Sequence, residues 1–317
     1  MRGLLNIKPT IIWGESYLSA IEAKFGGKFE ETVYKKVVKY QSLQYQFVTL
    51  NFTKLYSIKS TELDKINNIK YIVMTALYDD LIDNKKISEA DLNEMFYYPE
   101  KVNPNNFNER VLVAMHLDLL NQVQDKNAYW KVIEAIHIAQ KDSVKQFDAN
   151  TNIEQIIDIT RRKGGYTLVM CRHYLMNSIV NNSDDCWYAL GGLIQMTNDL
   201  FDTYKDTQEE GIHTFANKLQ TVDEIKDVYL NQVNIFKQSI INLPVTRFKK
   251  IQFSIYLSII SAFGEIALNQ LKQLQGKSTS LPNFRSIPRK KLIVDMEKPI
   301  NIFRLLGYAY KNGKLWM

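Results

Sequence analysis

The stretch LGGLIQMTNDLFDTYKD, residues 190–206, decides how the rest of the chain is interpreted. Asn198, Asp202 and Asp206 recur every four residues, and four residues turn a helix by about 400°, so the three side chains form one slowly drifting row. The positions around them are mostly apolar, which predicts a largely buried helix. Carboxylates on such a face repel one another and lose hydration unless a cation neutralises them. Oxygen ligands without a neighbouring His or Cys suit Mg²⁺; the alternative is a solvated acidic face.

A second acidic stretch, YIVMTALYDDLIDN, occupies residues 71–84. Asp79 and Asp83 share one helix face, Asp80 lies beside them, and the run before them is apolar. One such cluster is compatible with a capped helix end, but two in a helical chain predict the facing walls of a metal site. Because Mg²⁺ keeps waters and is usually completed by substrate phosphates, a phosphorylated ligand is implied.

Length and composition predict one all-α domain. The chain has 317 residues, of which 45% are hydrophobic, and only 13 Gly and 7 Pro, which favours long helices over a fold with many turns. We find no internal repeat or linker, and we expect about a dozen helices in a single domain over residues 1–317. Residues 1–15 are predicted to be an irregular arm and residues 275–290 a surface loop.

Charge and targeting patterns predict a cytoplasmic protein that does not bind nucleic acid. The formal charge of +6 is scattered, without the basic stripe and interleaved aromatics typical of nucleic-acid binding. Cys171 and Cys186 are expected to be reduced packing residues. Lys8 and Pro9 interrupt the apolar N-terminus, so no signal peptide is predicted, and no segment is expected to span a bilayer. The expected state is a monomer or homodimer.

The stretch RRKGGYTLVMCRHYL, residues 161–175, could bind an anion. The pair Gly164–Gly165 is expected to break or kink a helix and to leave Arg161, Arg162 and Lys163 at the break. The alternative is a plain loop with solvated basic residues.

Aromatic residues between positions 40 and 56 are open to two interpretations. They are core residues or they line a pocket; Phe47 and Phe52 are candidates for the second role. The four histidines show no ligand spacing and are expected to be packing or surface residues. No glycine-rich phosphate loop, nucleophile elbow or dinucleotide fingerprint is present.

The motifs DDLID and NDLFDTYKD resemble the two metal motifs of the class I isoprenoid (terpenoid) synthases. This resemblance implies a helical bundle around a central cavity, with the motifs facing each other across its mouth and holding three Mg²⁺ ions with the substrate diphosphate. It implies a catalytic role for six residues, all but Asp80 being metal ligands: Asp79, Asp80, Asp83, Asn198, Asp202 and Asp206.

The motifs combine features of several branches of this superfamily. Terpene cyclases usually carry Ser or Thr, then Glu, where this chain has Asp202 and Asp206, a pattern closer to squalene and phytoene synthases. Lys205 matches the cyclase lysine that contacts diphosphate, and Lys163-Gly164-Gly165 resembles the Lys-Thr-Gly of elongating prenyltransferases. The arginines expected after the first motif in elongating enzymes are replaced by NKKIS. A one-substrate enzyme similar to a bacterial class I terpene synthase is therefore favoured.

The resemblance implies a Mg²⁺-dependent lyase that ionises a linear prenyl diphosphate, cyclises the carbocation and releases diphosphate. The alternatives are an enzyme that couples two prenyl diphosphates and a non-catalytic helical binding protein. Gly191 is expected to leave room for substrate. The expected diphosphate-binding residues are Arg161, Arg162, Lys163, Lys205, Tyr310 and Lys311. The expected cavity residues are Phe47, Phe52, Thr75, Ala76, Gly191, Ile194 and Gln195.

Overall fold

The protein is all-α, as predicted. A computed structural model describes residues 7–83, 87–175, 183–296 and 298–314, with only the backbone of residues 83, 299, 313 and 314. Within these ranges the structure has 14 α-helices and no strand.

The chain divides into two compact units. One comprises residues up to 129 together with 171–179, and the other comprises residues 130–170 together with those from 180 onward. The expectation of a single domain over residues 1–317 stays a prediction.

The first unit is built around a long helix that carries the first acidic motif. This helix, α4 (Glu62–Asp83), packs against α2 (Glu31–Leu43) and α6 (Phe107–Leu120). It buries Tyr71, Val73 and Leu77. A π-helical turn, Gln44–Thr49, joins α2 to α3. The helices of this unit are α1 (Ile7–Phe25), α2 (Glu31–Leu43), α3 (Leu50–Leu55), α4 (Glu62–Asp83), α5 (Glu89–Tyr97) and α6 (Phe107–Leu120). Two further helices, α7 (Lys126–Ser143) and α8 (Ile153–His173), contribute residues to both units.

The second unit is built around the helix that carries the second acidic motif. This helix, α9 (Asp184–Phe201), packs against α11 (Val222–Ile241) and α12 (Arg247–Gln275). Helix α12 also packs along α14 (Pro299–Lys314). A π-helical segment, Lys205–Glu210, follows α9. The helices of this unit are α9 (Asp184–Phe201), α10 (Phe215–Lys218), α11 (Val222–Ile241), α12 (Arg247–Gln275), α13 (Arg289–Leu292) and α14 (Pro299–Lys314).

The predicted N-terminal arm is wrong for residues 7–15, which form the first half of α1. Pro9 lies in the first turn of this helix. Proline is tolerated there because the backbone N–H groups of the first turn have no intrahelical acceptor. Pro9 therefore interrupts the apolar character of the N-terminal stretch but not the helix.

The loop predicted at residues 275–290 is largely confirmed. Helix α12 ends at Gln275, and no further α-helix begins before Arg289. The exception is Phe284, which is buried in a 3₁₀ turn, Phe284–Ser286. Gln208 donates hydrogen bonds to the carbonyl oxygens of Phe284 (2.6 Å) and Ile287 (2.8 Å), which ties this loop to the π-helical segment.

Helix α12 bears on the expectation that no segment of the chain spans a bilayer. By length and composition Arg247–Gln275 could cross a bilayer. However, 61% of its most apolar 18-residue stretch is buried inside the protein. The core helix of a soluble protein can have the same length and hydropathy. The absence of a transmembrane segment stays a prediction.

Candidate functional site

The second acidic motif keeps its predicted row across the end of a helix. Helix α9 begins at Asp184 and ends at Phe201, and Asp202 caps its C-terminus with φ −91° and ψ 9°. The backbone N–H of Asp202 donates to the carbonyl oxygen of Asn198 (2.8 Å), and that of Asp206 donates to Asp202 (2.8 Å). The four-residue repeat therefore continues through the bend and into the π-helical segment.

The row combines exposed and buried oxygen groups. Asn198 is half-buried, Asp202 is exposed and Asp206 is buried, with 8% of its surface accessible. The Asp206 carboxylate has no hydrogen-bond or ion-pair partner within the described part of the chain. A buried carboxylate without a partner is destabilising unless it binds a proton or a cation.

Electrostatics around Asp206 favour its neutral form when no cation is bound. Burial, together with the charges of Asp199, Asp202 and Glu210, raises the pKa of Asp206 to about 8, although Lys205 opposes the shift. Desolvation and like charges have the same sign here, so both favour binding of a positive charge.

Asp199 is a further buried carboxylate that the sequence analysis missed. It is 6% exposed and accepts hydrogen bonds from Gln195 Nε2 (3.1 Å) and Thr160 Oγ1 (3.1 Å). Burial raises its pKa to about 6, while both hydrogen bonds and the charge of Lys163 lower it. The spacing of Gln195 and Asp199, four residues apart on one helix, could have indicated this pair.

Lys205, the predicted diphosphate lysine, is held by a carboxylate. Its Nζ lies 2.5 Å from Glu210 Oε1, with 54% and 36% of the two side chains exposed. Burial lowers the pKa of Lys205, but the hydrogen bond and charge of Glu210, together with the charges of Asp202 and Asp206, outweigh this effect and raise it. Binding of a diphosphate by Lys205 would require it to leave Glu210.

The first acidic motif ends α4. Asp79 pairs with Lys36, whose Nζ lies 2.8 Å from Asp79 Oδ2; the two side chains are 46% and 41% exposed. Asp80 is half-buried, and the side chain of Asp83 lies outside the described residues. The ammonium group of Lys36 therefore lies beside Asp79, a candidate metal ligand of this motif.

The predicted helix break at Gly164–Gly165 is wrong, because α8 continues from Ile153 to His173. A Cβ added to Gly164 would lie 2.3 Å from the carbonyl oxygen of Gly191, and one added to Gly165 would lie 2.5 Å from the Tyr188 ring. The glycines therefore let the backbones of α8 and α9 touch. For the same reason Gly191 leaves no room for substrate on that side, contrary to the prediction, since the backbone of Gly164 fills the space.

The three basic residues before this contact differ in their surroundings. Arg161 Nε donates to Gln232 Oε1 (2.8 Å). Arg162 forms ion pairs with Asp142 (2.9 Å) and Asp158 (2.7 Å). Lys163 is half-buried and is the one cation whose charge lowers the pKa of Asp199 among the described groups. The helix contact thus brings Lys163 towards the second acidic motif, while Arg162 is neutralised.

The predicted cavity residues are buried to different degrees. Phe52 and Ala76 are core residues of the first unit, whereas Phe47 and Thr75 are half-buried, and Thr75 Oγ1 donates to Ile72 (3.1 Å). In the second unit Ile194 and Gln195 are half-buried.

Two predicted diphosphate-binding residues lie on α14. Tyr310 is 66% exposed, and Lys311 is also exposed. Among the described residues, Lys311 forms no hydrogen bond or ion pair with Asn198 or Asp206.

The candidate metal ligands are oxygen donors, and the second motif fits a hard cation. Its buried, partnerless carboxylate lies in one row with an amide and a second carboxylate. No group of three or more His, Cys, Asp or Glu side chains in the described ranges is arranged to hold a metal ion. An ion at this motif would therefore need further oxygens, such as those of a diphosphate.

Comparison of the chain with protein-family models, with curated proteins and with solved structures gives no match.

Proposed function

We propose that the protein is a Mg²⁺-dependent class I terpene synthase that ionises one linear prenyl diphosphate and cyclises the product cation. The observation that carries the proposal is the row of Asn198, Asp202 and Asp206, which stays in register across a helix end and places an unpaired carboxylate in a buried position. Fold stability alone does not explain this arrangement, because it destabilises the metal-free protein.

The residues proposed to hold Mg²⁺ are Asn198, Asp202 and Asp206 in the second acidic motif, and the resemblance assigns the same role to Asp79 and Asp83 in the first. When bound, Mg²⁺ supplies positive charge to the oxygens of a departing diphosphate.

Protein side chains have two further tasks in this proposal. Lys205, once released from Glu210, and Lys163 offer ammonium groups to the diphosphate and stabilise its developing charge. Apolar and aromatic side chains exclude water from the cation and stabilise it through their ring faces, an effect of about 2 kcal/mol in a dry site.

The proposal is tested by measuring diphosphate release from geranyl, farnesyl and geranylgeranyl diphosphate, with Mg²⁺ and with EDTA. We expect release that requires Mg²⁺, and a cyclic hydrocarbon or alcohol from a single substrate. A product that joins two prenyl chains would support the coupling alternative. No release from any substrate would contradict the proposal and favour a binding protein.

A matched pair of variants separates the acidic row from helix charge in general. Asp202→Asn removes an exposed carboxylate of the row, and Asp185→Asn removes an exposed carboxylate from the first turn of the same helix. We expect a large loss of release for the first variant and near wild-type release for the second. Equal losses in both would contradict the assignment of the row.

A further inference from the structure

Helix α14 packs through a polar face and exposes an apolar one. Asn301, Leu305 and Asn312 are buried, at 7%, 5% and 9% exposure. On the side opposite the buried residues, Phe303, Leu306 and Tyr310 follow one another at spacings of three and four residues, and they belong to a larger set of exposed apolar side chains. The members of this set are Ile300 (53%), Ile302 (47%), Phe303 (71%), Leu306 (45%) and Tyr310 (66%).

Hydrogen bonds fix this orientation of the helix. Asn312 Nδ2 donates to Glu265 Oε1 (2.6 Å) and to Ser261 Oγ (3.1 Å), and Ser258 Oγ donates to the carbonyl oxygen of Ala309 (2.9 Å). Rotating α14 to bury its apolar side would break these bonds between the two helices. The outward direction of the apolar side is therefore built into the helix contact.

Helix α12, which packs along α14, also exposes an apolar side chain. The bonded pairs Ser258–Ala309 and Ser261–Asn312 advance together along both helices, so the two helices run in the same direction. In the first turn of α12, Phe248 is 74% exposed. Exposed apolar patches of this kind mark sites of interaction with a partner or a membrane.

Basic residues are frequent in the segment that carries the apolar surface. Residues 288–314 contain seven basic and two acidic residues. Lys298 is exposed at the start of α14 and Lys311 near its end, whereas Lys291 lies farther away, where its carbonyl oxygen accepts a hydrogen bond from Gln270 Nε2 (2.7 Å). An apolar helix face bordered by cations has the chemistry of a helix that lies in the interface of an anionic bilayer.

We propose that α14 binds the surface of an anionic lipid bilayer, with Phe303 and Leu306 inserted among the acyl chains. With 16 residues the helix is shorter than the roughly 20 that a membrane span needs, so it lies along the surface. The excess of positive charge favours lipid head groups over a second copy of this basic chain. The proposal does not depend on the proposed chemistry, because its test uses no prenyl diphosphate.

The test is co-sedimentation of the full-length protein with vesicles of phosphatidylcholine alone or mixed with phosphatidylserine. We expect binding to the mixed vesicles, and a reduction of at least about tenfold in partitioning for Phe303→Ala combined with Leu306→Ala. The matched control is Phe147→Ala, since Phe147 is 57% exposed on a different part of the chain. Wild-type binding by the double variant, or equal loss in the control, would overturn the proposal.

A second pair of variants tests the contribution of charge. Lys298→Gln with Lys311→Gln should weaken binding to mixed vesicles and reduce its salt dependence, whereas Lys126→Gln with Lys131→Gln, two exposed lysines of α7, should not. Absence of wild-type binding to the mixed vesicles would overturn the proposal. Lipid-free dimers that the Phe303 and Leu306 substitutions dissociate would also overturn it, because the surface would then be a protein interface.

Discussion

Two buried polar clusters, one in each unit, differ in how completely their groups are paired. In the first unit both ring nitrogens of His116 form hydrogen bonds, Nδ1 with the Tyr78 hydroxyl (3.2 Å) and Nε2 with the Tyr129 hydroxyl (3.0 Å). The Tyr129 hydroxyl also forms a hydrogen bond with the Tyr174 hydroxyl (2.9 Å). In the second unit Asp206 is buried without a partner among the described residues.

The electrostatic consequences of burial are opposite in sign. Burial lowers the pKa of His116 to about 4, so the ring is neutral at physiological pH and its hydrogen bonds are made without a net charge. Burial and like charges raise the pKa of Asp206 to about 8. A paired neutral network stabilises its unit, whereas a half-paired acidic cluster destabilises its own. This difference indicates that the first cluster serves the fold and the second a ligand.

The largest expected effect is on activity, through the unpaired member of the comparison. Asp206→Asn keeps the shape of the side chain but removes its charge. If the proposed function is right, Mg²⁺-dependent diphosphate release should fall by at least about 100-fold, the size typical of losing one charge-stabilising group. Thermal stability in EDTA should hold or rise, because a source of repulsion is gone. Lower stability together with retained release would reverse the assignment of this cluster to function.

The next effect concerns the helix contact that places Lys163 and Thr160 near Asp199. Gly164→Ala should lower the free energy of unfolding by about 1–3 kcal/mol or more, because its Cβ would overlap the backbone of α9. The control is Gly307→Ala in α14, where an added Cβ meets nothing within 4 Å and a gain of roughly 0.5–1 kcal/mol is expected. Denaturant unfolding measures both; similar stability of the two variants would show that the helices do not touch at Gly164.

A smaller effect is expected for the paired cluster. Tyr129→Phe removes the hydroxyl between His116 and Tyr174 and should reduce the free energy of unfolding by about 1–3 kcal/mol, because it leaves buried groups unsatisfied. Tyr98→Phe is the control, since Tyr98 is 51% exposed. Diphosphate release per folded molecule should be unchanged in both variants. A selective loss of release in Tyr129→Phe would mean that this network also serves function.

The sequence was sufficient to predict the helical class, the helices that carry both acidic motifs and several helix starts. The spacing of Thr61 and Asp64 predicts a capping box, and the structure contains it: the backbone N–H of Thr61 donates to Asp64 Oδ2 (2.7 Å), and that of Asp64 donates to Thr61 Oγ1 (3.1 Å). The box at Thr221 and Glu224 is also present. These features depend on residues within one helical turn of each other, which sequence spacing determines directly.

The remaining features depend on partners far along the chain. A pair of glycines has the same sequence pattern whether it breaks a helix or permits a close contact, and the outcome at Gly164 depends on Gly191 in another helix. Asn198 and Asp199 are adjacent, so spacing alone did not reveal that the second is the more deeply buried. Likewise, the spacing of apolar residues in the last stretch of sequence predicts that α14 is amphipathic, but it does not predict which face packs against α12.

The smallest expected effect is on the pH dependence of metal-free stability, and it distinguishes the two clusters directly. In the folded protein the pKa of Asp206 is about 8, above its usual 3.8, so the stability gained from the neutral form is complete below 3.8 and is lost as the pH rises through 8. His116 behaves in the opposite way: its folded pKa of about 4 lies below 6.5, so its contribution is present above 6.5 and is lost as the pH falls through 4. Relative to the wild type in EDTA, Asp206→Asn should therefore gain stability progressively from about pH 5 to pH 8.5, by at least about 1 kcal/mol at the upper end, since one pKa unit corresponds to about 1.4 kcal/mol. Its decline on the acid side should remain, because His116 is untouched. Parallel stability curves for the two proteins above pH 5 would show that Asp206 is not the buried, uncompensated charge on which the comparison depends.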